Sequence, residues 1–356
     1  MSDSRKILVT GAGGFIGGRM VEIMHQLGTG AVRAGMRRWA TGARIGRLPV
    51  ELVRCDIRDA TQVKDALEGV THVVHCAVGE HSSTVEGTRV LLEGARQAGV
   101  ERFVHLSTVD VYGIPDGPVT ESHELQVTGR AYGDSKIEAE KACQEAASRG
   151  VPVTILRPTL VHGPFSATWT VAYAQRLQKR PWLVAESDAQ GTCNLVYVDD
   201  VVGAALAAFD ADTEPGEAFN INGSERPTWH QYFSALNAAM GLPPLVSASP
   251  AAARAKAGLV LPFRKAAKFG ITHFQKQIIG LSQSSQLARS VMVKAEGLIR
   301  TTPVPSEFAV YGREVSFETD KAERLLGYEP RFPMSDALEL TAGWLHHHGY
   351  VQKDAA

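Results

Sequence analysis

Absences narrow the field first. Four cysteines, Cys55, Cys76, Cys143 and Cys193, are scattered through 356 residues, and no two share a CxxC spacing. That pattern argues against a disulfide framework or a zinc site and implies reduced thiols in a cytoplasmic protein. Charge of one sign is not in excess either, with 37 basic against 38 acidic side chains. No bulk attraction to nucleic acid or to a membrane surface is therefore expected. No run of about 18 uncharged apolar residues occurs, so no membrane span is expected. Met1-Ser2-Asp3-Ser4-Arg5 leads straight into an apolar strand, with no room for a signal peptide. Internal repeats and low-complexity linkers are missing too. A chain of this length is expected to form two packed lobes.

What is present begins with Lys6-Ile7-Leu8-Val9-Thr10, a short buried strand, followed by Gly11-Ala12-Gly13-Gly14-Phe15-Ile16-Gly17-Gly18 and then by helical spacing through Leu27. Strand, glycine turn and helix form the setting that a dinucleotide-binding loop requires. Gly11 permits the tight turn, Gly14 lets backbone approach a pyrophosphate, and Gly17 lets the helix pack close to the strand. Phe15 and Ile16 lie within this cofactor-contacting stretch. The helix N-terminus offers free N–H groups and a partial positive charge. At the end of the second strand, Ala31–Met36, an acid that would select NAD is lacking, and Arg37-Arg38 follows. Arginine there accommodates a 2′-phosphate, so the cofactor is read as NAD(P) with NADP(H) favoured. Asp56, closing a third strand, is placed to meet the adenine amino group, with Ile57 packing on the ring. His75, in the fourth strand, is read as a packed histidine rather than a base.

Tyr132-Gly133-Asp134-Ser135-Lys136 carries the chemistry. Phenol is a poor base at neutral pH, with an unperturbed pKa of about 10. A lysine at i+4 shares the tyrosine's helix face, and its charge favours the phenolate. A hydroxyl from Thr108 is suited to orient a substrate oxygen. Together these side chains form a proton-transfer set for moving hydride on and off a carbinol carbon.

Thr10-Gly11-x-x-Gly14-x-x-Gly17, Asp56, Ser107-Thr108, Val111-Tyr112-Gly113, Tyr132-x-x-x-Lys136 and Arg157-Pro158 occur in order. With them the chain resembles the extended short-chain dehydrogenase/reductase superfamily, and more narrowly its NAD-dependent epimerase/dehydratase group. The resemblance covers roughly residues 5 to 225. It implies an α/β fold, a Rossmann-type doubly wound parallel sheet with a smaller, mainly helical C-terminal substrate lobe. The expected division is 1–165 with 192–224 for the cofactor domain, and 166–191 with 225–356 for the substrate lobe. The resemblance further implies Tyr132 as general acid/base, Lys136 as the residue that lowers its pKa and holds the nicotinamide ribose, and Thr108 rather than Ser107 as the substrate-hydroxyl partner. Pro158 would sit near the nicotinamide, and Ala77 would touch the cofactor through its backbone. A homodimer through the 85–98 helix and the Tyr132–Lys136 helix is also implied.

Departures from the family pattern bear on the reaction. Nucleotide-sugar 4,6-dehydratases carry Thr-Asp-Glu at this strand end, whereas Thr108-Val109-Asp110 stands here, so elimination is not expected. Leu160 occupies the slot where many nucleotide-sugar epimerases have asparagine. Asp110, His162 and Asn194 are the candidate substrate contacts. Asp199 or Asp200 is expected to cap the helix through Phe209, Asp134 and Ser135 to face away from the site, and 166–178 to be one helix. The 251–300 segment is basic, with Arg254, Lys256, Arg264, Lys265, Lys268, Lys276, Arg289, Lys294 and Arg300 against Glu296. An anionic substrate, a peripheral membrane contact and a merely solvated face are its three readings. His346-His347-His348 has no matching acid or cysteine set, and no metal is expected. The leading function is an NAD(P)-dependent oxidoreductase or epimerase of a secondary alcohol or ketone, most simply on a nucleotide sugar. A ketone or 3β-hydroxysteroid-type dehydrogenase and a non-catalytic NAD(P)-sensing protein are the alternatives.

Overall fold

The computed structural model of the chain describes residues 5–179, 181–264 and 301–351, with 266, 290 and 299 from the stretch between. Two compact units divide it: Met1–His162, Asn194–Glu225 and Val315–Met334 form one, and Gly163–Cys193, Arg226–Glu314 and Ser335–Ala356 the other.

The first unit is built on a seven-stranded sheet. In chain order its strands are β1 (Lys6–Thr10), β2 (Ala31–Met36), β3 (Glu51–Arg54), β4 (His72–His75), β5 (Arg102–Leu106), β7 (Val153–Pro158) and β10 (Ala218–Ile221). All pairs are parallel, and the spatial order is β10-β7-β5-β4-β1-β2-β3. These strands are short apolar runs because helices cover both faces of a parallel sheet. The order reverses between β1 and β4, whose ends pair at Thr10 and His75. A crevice at that switch point is where doubly wound sheets hold ligands. Helices α1 (Phe15–Leu27), α2 (Ala60–Ala66), α3 (His81–Ala98), α4 (Ala131–Ala147) and α6 (Val198–Asp210) flank the sheet. On one face Leu8, Val73, Phe103 and Ile155 pack with Leu91, Leu92, Ala142 and Cys143. Two small additions are β6 (Gly117–Val119) with β11 (Val315–Phe317), and β8 (Leu160–His162) with β9 (Leu195–Tyr197).

The second unit's described elements are helical, including α5 (Ala172–Leu177), α7 (Trp229–Ala239), the stretch 250–264, and Pro305–Tyr311. Its core is aromatic, gathering Tyr173, Trp229, Phe233 and Tyr311. No helix among the described residues is long and apolar enough to cross a membrane.

Locally, the structure keeps one reading and overturns another. The 166–178 region is helical as read, its first turn, Ala167–Val171, being a π-turn that runs on into α5. Neither Asp199 nor Asp200 caps α6, whose N-cap residue is Tyr197 and makes no side-chain bond to the helix. Asp199 instead holds Arg19 at 2.6 Å, and Asp200 accepts from the Arg331 amide at 2.7 Å. Partners far along the chain, a guanidinium for Asp199 and a backbone amide for Asp200, took the place of the local cap. Ser135 is buried, its hydroxyl donating to the Tyr132 carbonyl at 2.8 Å. Of the basic segment, Lys265, Lys268, Lys276, Arg289, Lys294, Glu296 and Arg300 lie outside what can be described side chain by side chain. Arg254 pairs with Asp188, and Arg264 donates to the Thr302 carbonyl at 2.6 Å.

Candidate active site

The glycine loop is shaped by what its backbone presses against. Gly11 sits at φ +68°, and a Cβ there would lie 2.8 Å from the Cα and N of Ala77. A Cβ on Gly17 would come within 2.4 Å of the Gly11 carbonyl oxygen. The Gly14 amide donates to that same oxygen at 2.9 Å. Gly14 also opens α1 without any side-chain cap, so the first amides of a 13-residue helix remain to meet an anion. Beside the loop lies a cavity of about 270 Å³, lined by Gly11, Gly14, Arg37, Arg38, Asp56, Ile57, Arg58 and Ala77 among others. Uncapped amides, glycines whose Cβ atoms would fill the cradle, and arginines at the rim fit a dinucleotide phosphate. Phe15 and Ile16 form the first turn of α1, while Pro158 closes β7 and is buried; none of the three lines this cavity.

Asp56 is not a free acceptor. Arg58 grips it with two bonds, Nη2–Oδ2 at 2.7 Å and Nε–Oδ1 at 3.0 Å. This grip holds the carboxyl well down, at about 2. Sequence reasoning missed Arg58, although its place two residues after Asp56 in a turn was a usable sign.

Tyr132 and Lys136 are the second and sixth residues of α4. Lys136 is 3% exposed and donates to the Leu106 carbonyl at 2.6 Å. Burial pushes its ammonium down to about 8. Tyr132 is 49% exposed over the whole side chain, but protein crowds its hydroxyl, and the lost hydration raises its pKa. The nearby Thr108 hydroxyl opposes the rise, and the Asp110 charge adds to it. The Lys136 ammonium is directed at the Leu106 carbonyl, and burial holds the Tyr132 phenol above its ordinary pKa.

Thr108 ends the β5 segment and caps the turn Val109–Tyr112, accepting from the Asp110 amide at 3.2 Å. Its neighbour Ser107 donates inward to Glu140, so of the two hydroxyls it is Thr108 that bears on the Tyr132 phenol. Asp110 pairs with Arg130 at 2.8 Å. A Cβ on Gly133 would lie 2.9 Å from the Asp110 Oδ2, which is why glycine follows Tyr132.

His162 and Asn194 are placed otherwise than expected of substrate contacts. His162 is buried in β8, edge-on to Tyr197 at 5.6 Å, and burial lowers its pKa to about 4. The Asn194 side chain donates to the Val315 carbonyl at 2.9 Å and accepts from Asn222 at 3.0 Å. Both are engaged in holding the fold. His75 is packed as read, bonded to Thr10 at 2.7 Å and Thr88 at 3.0 Å. Among the described residues, no group of three or more His, Cys, Asp or Glu side chains is arranged for a metal.

Residues 7–222, from the first strand of the cofactor loop through the last strand of the sheet, match the family described as NAD dependent epimerase/dehydratase. The chain belongs to that family. Among curated relatives, the sterol demethylase protein B of Methylococcus capsulatus is 32% identical over 240 residues, covering 61% of this chain and 69% of that protein. Human 3 beta-hydroxysteroid dehydrogenase type 7 is 27% identical over 379 residues, covering 95% of each. Among solved structures, UDP-glucuronic acid 4-epimerase from Bacillus cereus in complex with NAD superposes with a TM-score of 0.71 at 20% identity, over 98% of this chain and 99% of that one. That likeness is one of fold, and it agrees with the Rossmann-type sheet.

Proposed function

We propose that this family member is an NAD(P)-dependent oxidoreductase that interconverts a secondary alcohol and its ketone at Tyr132, Thr108 and Lys136. The observation that carries the reading is the placement of Tyr132 one turn before the buried Lys136 on α4, with Lys136 tied to the Leu106 carbonyl and Thr108 two residues further along at the turn after β5. A nicotinamide cofactor, when bound, supplies or takes the hydride. For ketone reduction, Tyr132 gives its proton to the carbonyl oxygen while Thr108 holds that oxygen in place. The buried Lys136 ammonium lies on the same helix face, where its charge stabilises the phenolate left behind. The loop residues Gly11, Gly14 and Gly17 with the α1 amides would hold the pyrophosphate.

Arg37 and Arg38 at the cavity rim support NADP(H), and Asp56, the one acid lining the cavity, is already gripped by Arg58. For the substrate, an apolar ketone or hydroxysteroid is favoured. The polar candidates Asn194 and His162 are engaged inside the fold, and two relatives carry sterol or hydroxysteroid names. A nucleotide sugar is the second reading, supported by a Bacillus subtilis relative, 30% identical over 253 residues, that is named as a UDP-glucose epimerase. Four free cysteines support a reducing compartment, and a homodimer along α3 and α4 is supported by the family likeness.

The test compares NADPH-driven reduction of a 3-ketosteroid with turnover of a UDP-hexose, in the wild type and in Tyr132→Phe. Loss of about 10²-fold or more in kcat with NADPH affinity unchanged is expected. Full activity in Tyr132→Phe would sink the assignment. Tighter binding of NADH than of NADPH would overturn the role given to Arg37 and Arg38.

A further inference from the structure

The end of β5 is held by α4 at two consecutive residues. Lys136 Nζ donates to the Leu106 carbonyl at 2.6 Å, and one turn later Glu140 accepts from the Ser107 hydroxyl. The Ser107 amide also donates to the Leu156 carbonyl at 2.7 Å, so β7 fixes the same residue from its other side. Glu140 is fully buried, and Arg157 takes both its oxygens, at 3.0 and 2.6 Å. The remaining Arg157 nitrogen donates to the Tyr112 hydroxyl at 2.8 Å, which in turn donates to Asn220 at 2.7 Å. Tyr112 is the last residue of the turn that Thr108 caps. Thr108 is therefore bracketed: the residue before it and the end of the turn after it are tied to one buried ion pair.

Volume alone does not call for this arrangement, because apolar side chains of similar size fill such a space at no desolvation cost. Directional bonds do something that packing does not, which is to fix the rotation of a strand end within a fraction of an ångström. We propose that Ser107 and Glu140 are positioning residues that set the Thr108 hydroxyl against the Tyr132 phenol. The inference rests on the function proposed above. Neither side chain touches substrate; both act through Thr108, and Lys136 supplies the second tie one turn away on the same helix.

Ser107→Ala is the variant of choice, because it removes one bond and leaves the Arg157–Glu140 pair intact. A displacement of about 1 Å at a reacting group costs about 10²-fold. We expect kcat for NADPH-driven ketone reduction to fall by about 10-fold to 100-fold, with NADPH affinity and melting temperature unchanged. In a Thr108→Ala background the same change should add less than about twofold, since the group it positions is gone. Hydrogen–deuterium exchange on the full chain gives a readout that needs no substrate: amides of 107–112 should exchange faster in Ser107→Ala, with α4 unaffected. Wild-type kcat, an equal loss in the Thr108→Ala background, or unaltered exchange over 107–112 would each overturn the inference. If Tyr132→Phe and Thr108→Ala keep full turnover, the functional reading fails instead. If they lose turnover while Ser107→Ala does not, only the positioning role falls.

Discussion

Between β1 and α1 the loop keeps its shape with almost no side chains, whereas the junction of β5, α4 and β7 is held by side chains throughout. Gly11, Gly14 and Gly17 form a surface of backbone, with the Gly11 carbonyl at its centre and Ala77 pressed against it. At the other junction Ser107, Glu140, Arg157, Tyr112 and Asn220 are nearly all buried and bonded in series. The difference follows from what each place must do. Phosphate recognition needs close approach and exposed N–H groups, which side chains would block. Proton transfer needs side-chain oxygens and nitrogens aimed within tenths of an ångström, which calls for a supporting shell.

If that contrast holds, truncating the buried pair is the largest perturbation available. Glu140→Ala leaves the Arg157 guanidinium buried without its counter-charge, and losses of about 3–5 kcal/mol are usual for such a break. Denaturant unfolding of Glu140→Ala beside the wild type measures it. A cost below about 1 kcal/mol would mean that water reaches Arg157 and that the junction is not sealed.

The loop should yield less stability and more function. In Gly17→Ala the new methyl meets the Gly11 carbonyl oxygen at 2.4 Å, and backbone must shift to admit it. Overpacking of this kind costs about 1–3 kcal/mol. Because the strain falls on the carbonyl that receives the Gly14 amide, NADPH affinity should drop at least tenfold, as read by fluorescence titration. A Gly17→Ala protein that is stable and binds NADPH normally would break the comparison at its backbone end.

The same contrast governs what could be read from the sequence. The glycine loop was legible because its contacts are local: strand, turn and helix follow one another within the first 27 residues. Tyr132 and Lys136 were legible for the same reason, being one helical turn apart. Glu140 and Arg157 are 17 residues apart, Ser107 and Glu140 are 33 apart, and Tyr112 and Asn220 are 108 apart. Nothing in the local pattern announces such pairs. Arg157 was noted as part of a motif, but its partners were not. Where a local rule competed with a distant charge, as at Asp199 and Arg19, 180 residues away, the distant charge won. Asn194 and His162 are polar, but burial commits both to the fold, Asn194 through Val315 and Asn222 and His162 against Tyr197.

The smallest expected effect tests the side-chain end by pH. Lys136 is charged below about 8 and discharges above it, whereas Tyr132, with its pKa raised, stays protonated over that interval. In the reductive direction the tyrosine is already in its donating form, so the limiting event is loss of the lysine charge that stabilises the phenolate. The kcat/KM for ketone reduction, which reports groups of the free enzyme, should fall about tenfold per unit once the pH passes about 8. At the backbone end the one acid lining the described cavity, Asp56, is ionised from about 2 upward and does not change charge there. Binding of ADP, which fills only the adenosine half, should therefore be flat between about pH 7 and pH 9. A flat kcat/KM to pH 10 would show that the buried lysine keeps its charge, and with it that the tie to Leu106 is stronger than its burial. A parallel fall in ADP binding would show that the two ends are coupled, and the division between a backbone-built cradle and a side-chain-built reaction site would have to be given up.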